Sequence, residues 1–231
     1  MILTSEIIHT DPNDPGPRAY LVRQAGDELR PGIVLIQEWW GIEPHVLDLA
    51  QRLASQGYAV MVPDLYHGQI ATEPDDARKL VMMTMQNVER VIHEVTLALD
   101  HLRADPRVQP KKLALMGFCM GGTVTFKVAC RYPHLAAVSP WYGGGIDPEK
   151  EPIDGINAPI LAIYGEQDQG IPVSRVRALE HALHAAGKDA TFHIYPNAGH
   201  AFLNDAHGSY HAESAADAWA KLLAFLKTCF H

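Results

Sequence analysis

The chain predicts an α/β fold, a mostly parallel sheet with helices on both faces. Three observations lead there. From Ile33 onward, short apolar runs alternate with longer segments of helical periodicity, the pattern of a parallel sheet and its covering helices. Most of the apolar runs are continuous rather than alternating, as in strands buried on both faces. Glu38, Asp64, Cys119, Asp168 and His200 all fall where such runs end. In open α/β sheets, ligands sit outside the carboxyl ends of the strands. No repeat, low-complexity segment or linker divides the 231 residues, so one domain over 1–231 is expected.

The elements follow in order. Ser5–His9 and Ala19–Arg23 read as strands of an N-terminal hairpin at a sheet edge, with a turn over Asp11–Pro17 between them. Ile33–Ile36 is a buried strand. Pro44–Gln56 carries Val46, Leu49, Ala50 and Leu53 at helical spacing, and Gly57 closes it. Tyr58–Val62 is a strand, and His67–Pro74 a loop. Asp75–Arg103 is a long helical pattern with Leu80, Thr84, Val88, Val91, Val95, Leu99 and Leu102 on one stripe. A break fits near Met85-Gln86-Asn87, and Asp105-Pro106 ends the pattern. Met82, Met83 and Met85 read as core or pocket lining. Lys112–Met116 is a strand and Thr123–Tyr132 a helix. Ala136–Ser139, Ile160–Tyr164 and Thr191–Tyr195 are strands. Val173–Ala186 and Ala212–Leu226 are helices.

Composition narrows the function. With 47% hydrophobic and 20% charged residues the chain reads as an ordinary soluble protein. A net charge of −8 without a basic cluster argues against nucleic acid. The N-terminus has neither the basic start nor the apolar stretch of a signal peptide, and no membrane span is expected. Three widely spaced cysteines do not make a disulfide framework and suit the cytoplasm. The histidines are scattered. His207 and His211 lack further ligands and read as surface residues, so no metal and no cofactor is expected.

The chemistry centres on Gly117-Phe118-Cys119-Met120-Gly121-Gly122. A strand precedes it and a helix follows, the context of a nucleophile elbow with cysteine at its centre. Small residues on both sides let strand and helix pack closely. The turn sets the sulfur at a helix N-terminus, which favours thiolate. A small buried cysteine in a Gly-rich loop would look the same over six residues, so partners decide. A thiol nucleophile needs a base, and the base needs a group that fixes its tautomer. Asp168 follows one strand, with Glu166 as a nearby competitor, and His200 follows the last. Nucleophile, acid, histidine is the chain order of the α/β-hydrolase triad.

Glu38 ends an apolar strand between Gln37 and Trp39-Trp40. A carboxylate there is costly unless paired or protonated. It reads either as an ion-paired or solvent-facing loop residue, or as a second partner of Cys119 that controls the thiol's proton. Trp39 and Trp40 read as pocket wall or as packing. The Trp39 N–H and the Met120 N–H are the candidate oxyanion donors.

Gln37-Glu38-Trp39-Trp40-Gly41, Pro63-Asp64-Leu65-Tyr66, the cysteine elbow, Gly165-Glu166-Gln167-Asp168 and Ala198-Gly199-His200-Ala201-Phe202 together resemble the dienelactone hydrolase family (carboxymethylenebutenolidases). The resemblance implies a compact α/β-hydrolase fold without a large cap domain. It implies a triad of Cys119, Asp168 and His200, with Glu38 keeping the resting thiol neutral until substrate displaces it. Trp40, Arg78, Tyr142 and Phe202 are the candidate pocket residues. One departure stands out. Family members acting on dienelactone bind its carboxylate with arginines, one a few residues after the catalytic histidine. Here that segment reads Ala201-Phe202-Leu203-Asn204. Arg78 is either a substitute or an exposed helix arginine.

The reaction expected is attack by Cys119 on the carbonyl of a small-molecule ester or lactone, in a monomer or small homo-oligomer. Activated lactones and enol esters are favoured, because thiols acylate readily but deacylate slowly from alkyl esters. Three other readings stay open. One is a broad carboxylesterase or thioesterase. Another is a thiol redox sensor, although no Cys-x-x-Cys exists and Cys130 lies about three helical turns beyond Cys119. The third is a non-catalytic binding module.

Overall fold

The computed structural model describes residues 2–11, 14 and 16–231, so part of the turn expected over Asp11–Pro17 (Pro12, Asn13 and Pro15) lies outside it. The chain forms two compact units, Met1–Leu115 and Met116–His231, and the boundary falls within one strand.

The first unit runs β1 (Leu3–His9), β2 (Arg18–Gln24), β3 (Arg30–Ile36), α1 (Pro44–Ser55), β4 (Ala59–Pro63), α2 (Pro74–Met85), α3 (Val88–Ala104) and β5 (Val108–Phe118), which continues into the second unit. The spatial order of its strands is β1-β2-β4-β3-β5. β1 and β2 pair antiparallel with Ser5 opposite Val22, giving the expected edge hairpin. β3 and β4 are parallel, with Ile33 opposite Val60. Val46, Leu49, Ala50 and Leu53 are the buried face of α1, which packs on β2 and β4. Pro44 suits the first helical turn, where a missing N–H costs nothing.

The long helical pattern does divide at the expected place. Asn87 takes the N-cap of α3 and its Oδ1 accepts the Arg90 N–H at 3.2 Å. One correction concerns the methionines. Ala77 and Thr84 are the buried residues of α2, with Leu80 half-buried beside Trp40, while Met82 and Met83 are exposed. Helical periodicity places them off the buried stripe. β5 begins four residues earlier than its apolar run, at Val108. The Arg30 N–H donates to the Arg107 carbonyl at 3.0 Å, and Gln109 Nε2 to the Leu29 carbonyl at 3.2 Å. Both bonds tie the polar start of the strand to the chain around Arg30. Beside it, buried Arg23 binds Asp105 at 2.5 Å and Glu6 at 2.8 Å.

The second unit contains the end of β5, α4 (Met120–Ala129), β6 (Ala137–Trp141), a 3₁₀ turn at Ile153–Gly155, β7 (Ile160–Gly165), α5 (Val173–Ala185), β8 (Ala190–Tyr195) and α6 (Ala212–Cys229). Its strand order is β5-β6-β7-β8. β6, β7 and β8 are parallel, with Val138 opposite Ile160 and Ile163 opposite His193. α4 packs on β6, α5 on β8, and α6 on β6 and β7. His211 is half-buried at the N-cap of α6, where its Nδ1 accepts the Ser214 N–H at 3.3 Å. It caps a helix rather than lying idle on the surface. None of the described helices is long and apolar enough to cross a membrane.

Candidate active site

Between β5 and α4 the chain turns at Cys119, with φ 56° and ψ −118°, a conformation rare for a side chain with Cβ. Its N–H donates to the Trp141 carbonyl at 3.0 Å, and its carbonyl accepts the Thr123 N–H at 3.2 Å. Glycine is required on both sides. A Cβ on Gly117 would stand 2.5 Å from the Gly121 carbonyl oxygen, and one on Gly122 would collide with the Trp141 carbonyl. The strand, turn and helix of the sequence pattern are thus a tight elbow. The helix starts at Met120, earlier than its apolar periodicity suggested.

Asp168 is buried in the loop after β7. Its Oδ1 accepts the Gly170 N–H at 2.8 Å and the Ile171 N–H at 3.0 Å. Its Oδ2 faces His200 Nδ1 at 2.6 Å. Glu166, the competing carboxylate, points to solvent. His200 follows β8 through a turn in which Asn197 and Ala201 both have positive φ. The Cys119 side chain lies close enough to His200 to act on its ionisation. The Tyr142 ring stands edge-on to the imidazole, centroids 5.2 Å apart, and Phe202 packs against Tyr142 at 5.8 Å. Tyr142 and Phe202 are fully buried, and Tyr142 has φ 37°.

These contacts set the protonation states. Burial alone would lower the His200 pKa. The hydrogen bonds to Asp168 and Cys119, and their negative charges, outweigh it and raise His200 to about 10. Burial alone would raise Asp168. The His200 bond and charge and the two loop N–H groups hold it below its ordinary value.

The first unit carries Glu38, Trp39, Trp40 and Arg78. Glu38 follows β3 with 1% of its surface exposed. The indoles of Trp39 and Trp40 meet edge-to-face at 4.9 Å, and Trp40 packs against Ala71 and Ala77. Arg78 stands exposed on α2. Two residues to which sequence reasoning gave no role fix this segment. Tyr66 Oη donates to the Trp39 carbonyl at 3.1 Å. Asp64 holds the turn carrying Tyr66, accepting the Gly68 N–H at 2.7 Å and Arg18 Nε at 3.2 Å. The available signal was the Asp two residues before Tyr66, an Asx-turn composition. Among the described residues, no group of three or more His, Cys, Asp or Glu side chains is placed to hold a metal ion.

The sequence profile of the dienelactone hydrolase family matches residues 18–230. An Escherichia coli (strain K12) protein, provisionally named a carboxymethylenebutenolidase, is 36% identical over 209 residues, 85% of this chain and 76% of its own. A Yersinia pestis protein of the same name is 37% identical over 205 residues, 84% of this chain and 76% of its own. A crystal structure from Klebsiella pneumoniae subsp. pneumoniae MGH 78578, provisionally named a dienelactone hydrolase, matches with a TM-score of 0.86 at 29% identity, over 98% of this chain and 99% of that one. The fold is that of the α/β-hydrolases, and the enzyme class is carboxylic ester or lactone hydrolysis. The chain belongs to the dienelactone hydrolase family.

Proposed function

We propose that the protein hydrolyses a small ester or lactone through a Cys119-His200-Asp168 triad and a thioacyl intermediate. The observation that carries this is the contact of Asp168 Oδ2 with His200 Nδ1 at 2.6 Å, with Cys119 near enough to the same imidazole to act on its ionisation. A thiol, an imidazole and a buried carboxylate in that order are the parts of nucleophilic catalysis with an oriented base.

Cys119 Sγ attacks the carbonyl carbon after passing its proton to His200. The oxyanion is received by the N–H of Met120. Met120 is the first residue of α4, at the positive end of the helix dipole. The carbon–oxygen bond then breaks, and His200 gives its proton to the departing oxygen. In a lactone that oxygen stays tethered. Water, deprotonated by His200, attacks the thioester, and Cys119 leaves as thiolate. Glu38 is almost fully buried, and a carboxylate there needs a specific partner. Tyr142 packs against the His200 ring and Phe202 against Tyr142, so the two back the imidazole.

The test is an acid-quenched reaction with p-nitrophenyl acetate and with an enol-lactone, followed by peptide mass analysis. An acyl group on the peptide containing Cys119, and no turnover by Cys119→Ala, are expected. Substantial turnover by Cys119→Ala would end this reading.

A further inference from the structure

We infer that Tyr142 is a positioning residue for ester cleavage, its ring holding the His200 imidazole at the tilt from which it takes the Cys119 proton. This rests on the reading above, in which His200 is the base.

A base that acts on one bound group must keep one orientation. A single hydrogen bond does not give an imidazole that. The contact of Nδ1 with Asp168 Oδ2 at 2.6 Å holds one atom of the ring and leaves the ring plane free to tilt about it. The His200 side chain is also 38% exposed, so packing closes only part of its surroundings. The Tyr142 ring supplies the second contact. It stands edge-on to the imidazole, centroids 5.2 Å apart and planes inclined by 61°.

That ring is delivered by a strained backbone. Tyr142 follows β6 with φ 37°, in the left-handed region. For a bulky side chain this costs about 1–3 kcal/mol and persists only where the surroundings impose it. Here they do. The Trp141 carbonyl accepts the Cys119 N–H at 3.0 Å, and the Tyr142 N–H donates to the Ile163 carbonyl at 2.7 Å. A Cβ on Gly143 would stand 2.7 Å from the Thr123 nitrogen, so the chain cannot relax on that side. The Gly143 carbonyl accepts Tyr164 Oη at 3.3 Å, and the Gly144 carbonyl accepts Thr123 Oγ1 at 2.8 Å. The elbow, β7 and α4 thus grip the peptides on both sides of Tyr142.

The ring is fully buried, with the Phe118 centroid 6.0 Å away and that of Phe202 at 5.8 Å. Two successive residues therefore serve two reacting groups. Trp141 holds the backbone of Cys119, and Tyr142 meets the ring of His200. Filling a core needs no left-handed tyrosine, since a relaxed backbone can carry an aromatic ring equally well; what this φ adds is the direction of the ring.

Tyr142→Phe keeps the ring and Tyr142→Leu removes it. Two quantities are read: kcat and KM with p-nitrophenyl acetate, and the proton NMR resonance of the His200 Nδ1–H in the resting protein, assigned by its absence from His200→Gln. In Tyr142→Phe we expect kcat within about twofold of wild type and a sharp resonance. In Tyr142→Leu kcat should fall by about 10- to 100-fold with KM nearly unchanged, and the resonance should broaden into solvent exchange. Should the leucine variant fail to fold, Tyr142→Met refills more of the volume and is read in the same two ways. Wild-type kcat without the ring would overturn the inference. So would a fall in kcat with the resonance unchanged, or a loss in Tyr142→Phe as large as in Tyr142→Leu. If the wild type shows no turnover, the triad reading has failed; the resonance, read without substrate, still decides whether Tyr142 holds the imidazole.

Discussion

Asp168 offers His200 a single oxygen. Oδ1 is engaged by the N–H groups of Gly170 and Ile171, and Oδ2 alone faces Nδ1 of the imidazole at 2.6 Å. In Asp168→Asn those two N–H groups will keep the amide carbonyl, so the amide NH₂ turns to the ring and forces the wrong tautomer. The expected loss in kcat is on the order of 10³–10⁴. NMR of the His200 ring should show its ionisation moving down from about 10. Wild-type activity in the variant would remove Asp168 from the mechanism.

The same contact predicts a pH dependence of stability. The folded His200 pKa lies above its ordinary value of 6.5, at about 10. Its pairing therefore stabilises fully below about 6.5 and is lost as pH rises through about 10. The side chain is 38% exposed, so the effect is partly screened. Wild-type Tm should fall from pH 7 to pH 10 more steeply than that of Asp168→Asn. Parallel curves would contradict this.

Glu38 and the three free thiols can be separated by alkylation. Burial, and secondarily the Glu151 charge, pushes the Cys130 thiol up to about 12, and burial raises Cys229 to about 11. Iodoacetamide at pH 8 should therefore modify Cys119 and leave the other two unlabelled. Glu38→Gln should change the pH profile of Cys119 alkylation, and Cys130→Ala should leave hydrolysis unchanged. Identical alkylation rates for Glu38→Gln and wild type at every pH would separate Glu38 from the sulfur.

The elbow tolerates no added methyl group. The atoms facing Gly122 are backbone, the Trp141 carbonyl and Gly143, which cannot swing aside as a side-chain tip can. Gly122→Ala should destabilise by about 1–3 kcal/mol and displace α4 from β6. Denaturant unfolding measures the first effect, and a drop in kcat the second. A variant as stable and active as wild type would show the helix to be free to shift.

Asp105 binds Arg23, whose side chain is 4% exposed. Asp105→Asn would leave that guanidinium with Glu6, a loss of about 3 kcal/mol. Burial would raise Asp105, but the N–H of Arg107 and the Arg23 and Arg107 guanidinium groups hold it below its ordinary 3.8. Its contribution is therefore present above about 3.8 and disappears as pH falls. The acid arm of the wild-type stability profile should be steeper than that of Asp105→Asn.

The parts of the fold legible in the sequence are those written as local pattern. Ile33–Ile36 reads as a buried strand because nothing polar interrupts it, and Asn87 breaks a helix because its side chain can cap the next one. Cys119, Asp168 and His200 are readable by type, order and position at strand ends. What escaped depends on partners distant in sequence. Strand β5 starts at Val108, before its apolar run, where Gln109 and Arg107 bond to residues 29 and 30. Tyr142 has positive φ beside His200, and no local rule predicts that for an aromatic residue. Tyr66 declares itself only once its hydroxyl is seen on Trp39.

The break at Asn87 leaves α2 with little to hold it. Only Ala77 and Thr84 are buried along it, whereas α3 buries Val91, Ile92, Glu94, Val95, Ala98, Leu99 and Leu102. Segments with few buried contacts open at free energies far below that of global unfolding. In amide hydrogen exchange α2 should lose protection well before α3, and because Ala77 and Leu80 pack on the indole pair, each opening uncovers Trp40 while the rest of the unit stays folded.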